Sequence, residues 1–179
     1  VLWALAVAGA DIAVYRPTVL CQVCRGRCCH TEPGAAHPAD FDHSVELVMQ
    51  ALASGRWALD WVRGPTEGSR RRYFVRPRTT DELFEDLPYH GPCTGHILGQ
   101  CSMLGARGCV LSWRRRPLVC RALRPEPNGC YLALRYRDIT WWWRDWYTIF
   151  SALRPPDRTT CTLEELLSAF TTMTTYGLR

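Results

Sequence analysis

Cys21-Gln22-Val23-Cys24-Arg25-Gly26-Arg27-Cys28-Cys29-His30 packs four cysteines into nine residues, and the use made of those thiols decides the kind of fold. A disulfide framework spaces its cysteines so that each bridge closes a loop, and four this close together close almost nothing. A C-x-x-C turn does something else. It lets both sulfurs face one side, where a single soft ion can hold them. Gly26 lets the backbone curl so that later sulfurs return to that side. The side chains of adjacent Cys28 and Cys29 tend to point apart, so they suit two different ions or a polynuclear centre. Thiolates of this kind select zinc, iron–sulfur clusters or cuprous copper.

A second cysteine-rich stretch reads CSMLGARGCVLSWRRRPLVCR over residues 101–121, with thiols at Cys101, Cys109 and Cys120. Cys93 precedes it by eight residues and Cys130 follows Cys120 by ten. The two stretches together offer enough thiols for two four-ligand sites, or for one site plus structural thiols. Pro117 pins its own φ and restrains the approach to Cys120. Arg116 is placed to tie loops together through backbone carbonyls. Arg25, Arg27 and Arg121 are placed to donate N–H groups to sulfur and offset thiolate charge.

The pieces CQVCRGRCC and CSMLGARGCVLSWRRRPLVCR resemble the YkgJ-type family of zinc- or iron-chelating cysteine-cluster proteins. That family carries C-x-x-C, then C-C, then C-x-x-L, G-C-x-L and R-P-x-x-C-R. Its usual spacing between the second and third cysteines is two residues; here Arg25, Gly26 and Arg27 make it three. The resemblance implies Cys21, Cys24, Cys28, Cys29, Cys101, Cys109 and Cys120 as ligands. It implies zinc or iron, with an iron–sulfur cluster among the options. A related lineage of flagellin lysine methylases that look iron–sulfur dependent adds group transfer to a protein side chain as an alternative activity.

Composition frames these readings. A chain of 179 residues with 47% hydrophobic and 22% charged residues is a folded domain, not a disordered segment. The whole of 1–179 reads as a single domain. Cysteine-rich loops at 21–40 and 89–130 are joined by irregular structure, and C-terminal helices occupy 131–176. The expected class is α+β, a small irregular metal-stabilised domain with both loops packed among helices.

All 22 basic residues are arginine, and the formal charge is +5. Eight thiolates would subtract eight charges and two divalent ions would return four, leaving +1. The basic balance is therefore weak support for an arginine-rich nucleic-acid adaptor, which stands as a third reading beside the metal protein and the iron–sulfur enzyme. The runs Arg70–Arg72 and Arg114–Arg116 read as solvated faces or structural donors.

Cysteines used as thiolate ligands call for a reducing compartment, so a cytoplasmic location is expected, with metal ions and a protein as partners. The apolar opening VLWALAVAGA is broken by Asp11 and ended by Arg16, too short to span a membrane. A buried first strand or helix is expected there, with a signal remnant as the alternative, since Ala8-Gly9-Ala10 imitates a cleavage site.

Helical periodicity runs from Asp42 to Ala53 through Val45, Leu47, Val48, Ala51 and Leu52, and ends at Ser54-Gly55. Trp57, Leu59 and Trp61 continue as a short turn or strand, and Arg72 to Arg76 as a strand. The acidic stretch 80–88 suits a short solvated helix. Trp142, Trp146 and Phe150, four apart, predict one aromatic helix over 131–151 packed against the metal region. Thr162 and Glu165 form a capping box for a last helix. His30 follows the first cluster as a ligand or acid–base candidate, and His96 lies between Cys93 and Cys101. His37, His43 and His90 read as ordinary histidines and Cys161 as a free thiol.

Overall fold

The computed structural model describes residues 3–7, 10–30, 33–62, 72–84, 99–126, 130–132, 134 and 136–153. Cys93, His90, His96, Cys161 and the helix expected from Thr162 lie outside the described residues. Helices and small antiparallel sheets alternate along the chain, an α+β arrangement.

The apolar opening is a hairpin. Strand β1 (Trp3–Val7) pairs antiparallel with β2 (Ala10–Val14). Ile12 and Val14, two apart and so on one face, pack against Leu118 and Ala122 of a later short helix. A short helix α1 (Val19–Cys24) follows and carries the first two cysteines. Helix α2 (Val45–Ala53) begins where the Ser44 hydroxyl accepts the Leu47 amide at 3.3 Å. Its buried face is Val48, Met49 and Leu52; Leu47, expected on that face, is exposed.

Strands β3 (Trp57–Val62) and β4 (Arg72–Pro77) form the central antiparallel pair. Tyr73, Phe74 and Val75 are buried in succession, so both faces of β4 are covered. The aromatic stretch packs here. It is not one helix. Helix α5 (Tyr136–Trp142) gives way to a 3-10 turn over Arg144–Trp146, and α6 (Tyr147–Leu153) resumes. The break at Trp143 follows from packing. Trp143 is buried, its ring lies 5.5 Å from Phe150, and its Nε1 donates to the Ala36 carbonyl at 3.0 Å. Trp146 and Phe150 share that core with Phe41 and Tyr73, so the aromatic face covers β4 and not the cysteines.

The acidic stretch also differs from expectation. In α3 (Thr80–Phe84) the Glu82 side chain is buried rather than solvated. The cause is Arg76, which is fully buried in β4 and needs anionic partners. Its Nε donates to Asp60 at 2.9 Å, and its Nη1 and Nη2 donate to Glu82 at 2.8 and 2.5 Å. Glu82 also accepts the Thr79 amide at 2.5 Å. This network fixes the chain leaving β4. There Thr79 bridges Cys101, and the Ser102 amide donates to the Arg78 carbonyl at 2.9 Å.

Two further elements complete the frame. Strands β5 (Leu104–Gly105) and β6 (Gly108–Cys109) make a tight hairpin, and α4 (Leu118–Ala122) carries Cys120. No helix among the described residues is long and apolar enough to cross a membrane.

Candidate metal centre

Cys21 and Cys24 lie three apart on α1, one turn of the helix, while Val19 and Val23 are strongly exposed. The helix ends because Arg25 and Gly26 both adopt positive φ, 51° and 87°. Two left-handed residues in succession turn the chain back on itself. Cys28 and Cys29 then sit in a 3-10 turn, with the Cys29 amide on the Gly26 carbonyl at 2.7 Å. At φ 87° Gly26 adopts a conformation that L side chains rarely take, and it lets the reversal rest on the β5–β6 hairpin beside Leu104 and Gly108.

The second stretch is fastened to the first by backbone. The Cys101 amide donates to the Cys29 carbonyl at 2.7 Å. Cys29, Cys101 and Met103 form a small buried cluster with Cys28 and Cys109 against it. Asp40 fastens α4. Its carboxylate accepts the His37 amide at 2.8 Å and the Leu118 amide at 2.7 Å, and it pairs with the Arg121 guanidinium. The Val119 amide donates to Ala35 at 3.2 Å. Cys120, between them, packs against Gly34. Cys130 is returned to the same place by paired backbone hydrogen bonds between Arg124 and Tyr131, both 2.9 Å.

The result is one cavity of about 180 Å³ lined by Cys21, Cys24, Cys28, Cys29, Cys109, Cys120 and Cys130. Cys101 lies beside it, buried against Cys29. All eight cysteines among the described residues are free thiols. Of the arginines marked in the sequence, Arg116 lines the cavity and also donates to the Leu111 carbonyl at 3.2 Å. Arg121 turns to Asp40, and Arg25 and Arg27 are exposed. Arg16 and Arg107 line the cavity unheralded. Arg107 occupies the hairpin turn beside Gly108, a position that only the β5–β6 pairing makes visible. His30 is exposed; His37 is buried and caps a 3-10 turn.

Crowding sets the electrostatics. The Cys28 thiol is pushed well above its ordinary range by its hydrogen bond with Cys29, by burial and by the Cys29 charge. Cys29 is pushed up to about 12, first by its hydrogen bond with Cys101. Burial raises Cys120 strongly, with Cys29, Cys28 and Cys109 adding to it. Cys130 is raised to about 11 by burial and by Cys28, Cys21 and Cys24. Packed thiols resist losing their protons together unless a cation takes up the charge. A soft cation fits this donor set, which is all sulfur. Among the described residues, no three His, Cys, Asp or Glu side chains are gathered to hold one ion as placed. One change of χ1 rotamer swings a cysteine sulfur by about 3 Å.

Two outcomes follow from this frame. A Cβ at residue 34 would meet Cys120 Sγ at 2.4 Å and Cys120 N at 3.1 Å. Gly34→Ala should therefore push Cys120 from the cavity and cost about 1–3 kcal/mol of stability by overpacking. Urea unfolding checks the cost, and metal content of the purified variant checks the displacement.

His37 gives a pH dependence. Its Nδ1 accepts the Ala39 amide at 3.0 Å, and burial, with the charges of His43 and Arg121, lowers its pKa to about 4. The unfolded chain, near 6.5, binds that proton first, so the stabilisation is complete above pH 6.5 and is lost as pH falls toward 4. Between pH 7 and 4 the wild type should lose about 3 kcal/mol more than His37→Asn, which keeps a capping acceptor without a proton to gain. Parallel urea titrations at the two pH values measure the difference.

No family model, curated protein or solved structure matches the chain.

Proposed function

We propose that the chain is a metal-binding protein whose thiolates hold zinc or iron, the latter as ions or as an iron–sulfur cluster. One observation carries the reading: seven free thiols from both cysteine-rich stretches and from Cys130 line a single cavity. The motif resemblance to the YkgJ-type family supports the same reading. The cysteines of that cavity, with Cys101 behind Cys29, would be the holders.

The number of sulfurs argues for more than one ion: a lone four-thiolate zinc would leave three of the seven lining sulfurs unused. Bound zinc would supply structural cross-linking, and an iron–sulfur cluster would supply electron transfer or Lewis acidity. Arg16, Arg107 and Arg116 would offset the charge left by an excess of thiolates over cations. A domain held in this way would be metal-stabilised and kept in a reducing compartment.

The test is elemental analysis with a visible spectrum on anaerobically purified protein. Iron, acid-labile sulfide and a brown colour are the iron–sulfur outcome. Colourless protein with stoichiometric zinc is the structural outcome. Protein purified reduced that takes up neither metal would overturn the reading.

A further inference from the structure

The charges of this chain are segregated. Residues 12–31 and 87–125 hold nine arginines and no aspartate or glutamate. Two of the nine are neutralised from outside those stretches: Arg121 pairs with Asp40 and Arg124 with Glu126. Arg16, Arg107 and Arg116 line the cysteine cavity. Arg25, Arg27, Arg114 and Arg115 remain. All four are exposed, and none pairs with a carboxylate among the described residues.

The fold gathers these cations around α1. Arg25 and Arg27 follow the helix directly. The Trp113 Nε1 donates to the Tyr15 carbonyl at 2.8 Å, which sets Arg114 and Arg115 beside the chain entering α1. A Cβ on Gly108 would stand 3.8 Å from the Arg25 carbonyl, so the β5–β6 turn lies at the end of the helix.

Helix α1 itself turns an apolar face outward. Val19 and Val23, four apart and so on one face, are 71% and 76% exposed. Local signals do not account for a helix there. It has six residues, no side-chain bond at the Thr18 cap and no acidic residue in its first turn, and its valines are β-branched. An apolar centre inside a charged rim is the anatomy of a protein-docking surface.

We infer that α1 and the arginines around it bind an acidic helical segment of a partner protein. The apolar stripe of that segment lies on Val19 and Val23, and its carboxylates meet Arg25, Arg27, Arg114 and Arg115. Charge complementarity selects this occupant. A nucleic-acid strand would find aliphatic side chains where its bases need an aromatic platform. A membrane surface calls for a wider apolar face, built from Trp, Phe or Leu, than two valines on a six-residue helix provide. The inference goes beyond the metal-binding reading and does not depend on what the cavity holds.

The experiment follows a fluorescein-labelled helical peptide, with one leucine stripe and glutamate elsewhere, by anisotropy against the reduced full-length protein. A control peptide carries glutamine for every glutamate. The acidic peptide should bind with an affinity that falls as salt rises, and the control should bind about tenfold more weakly. Val19→Gln/Val23→Gln should weaken the acidic peptide about tenfold through lost apolar burial. Arg25→Gln/Arg27→Gln should weaken it about fivefold. These side chains are exposed, so circular dichroism should be unchanged; if the valine variant misfolds, the arginine variant still decides.

Failure of the acidic peptide to bind, equal binding of the control, or an unchanged affinity in either folded variant overturns the inference. So does tighter binding of single-stranded DNA or of phosphatidylserine vesicles. A wild-type dimer that the valine variant abolishes in sedimentation would seat a second copy on the face and overturn it too. Metal content is measured on the same preparations. Metal-free protein that binds the peptide leaves this inference standing and sinks only the metal reading.

Discussion

Arg76→Met is expected to destabilise the chain by about 3–5 kcal/mol, because it strips the shared cation from two buried carboxylates. Asp60 and Arg76 are fully buried and Glu82 nearly so, and no water reaches them to replace a lost guanidinium. The size of the effect is set against a total stability of about 5–15 kcal/mol for a domain. For a chain of this length it corresponds to a melting point lower by about 10 °C. Arg76→Lys should recover only part, since an ammonium cannot fork between Asp60 and both oxygens of Glu82. Arg76→Met/Asp60→Asn/Glu82→Gln should recover more than Arg76→Met, because it removes the uncompensated charge. Thermal unfolding of the three variants orders them. Equal melting points for wild type and Arg76→Met would show that the ion network contributes nothing.

Cys120→Ser is expected to have the larger effect on metal content. Cys120 lines the cavity from α4, pinned by Asp40 on one side and by Gly34 on the other. A serine hydroxyl fits the space but is a hard, weak donor for soft metals. Loss of one ligand should release about one ion per chain, and because binding and folding are coupled it should also lower stability. Cys28→Ser, whose sulfur lines the same cavity, should lose metal as well. The checks are elemental analysis and unfolding before and after chelation. A chelator should unfold much of the wild-type protein and make little further difference to a variant that holds no metal. Full metal content in both serine variants would contradict the proposed function.

The cysteine stretches, the helix that ends at Ser54-Gly55, the strand from Arg72 and the α+β class could be read from spacing and periodicity, and Trp57 to Trp61 as a turn or strand. They rest on local signals: a helix stop, an apolar repeat, an aromatic and β-branched run. What could not be read was decided by tertiary partners. Glu82 looks like any surface glutamate until a buried Arg76 lies across from it. The aromatic run looks like one helix until Trp143 is drawn into the core, where its indole N–H finds the Ala36 carbonyl. Arg121 looks like a sulfur donor until Asp40 takes it. Arg16 and Arg107 carry no local mark, and they reach the cavity only because the opening hairpin and the β5–β6 turn border it.

The backbone bond from the Cys101 amide to the Cys29 carbonyl also bears on how the two stretches meet. Seventy-two residues separate these partners, whereas a zinc finger draws its first ligands from neighbours in one turn. Closing so long a loop costs about 3 kcal/mol more entropy than closing a three-residue one. Packing of β3 and β4, which sets Thr79 against Cys101, offsets that entropy, so the two cysteine stretches meet through long-range packing rather than through a local turn.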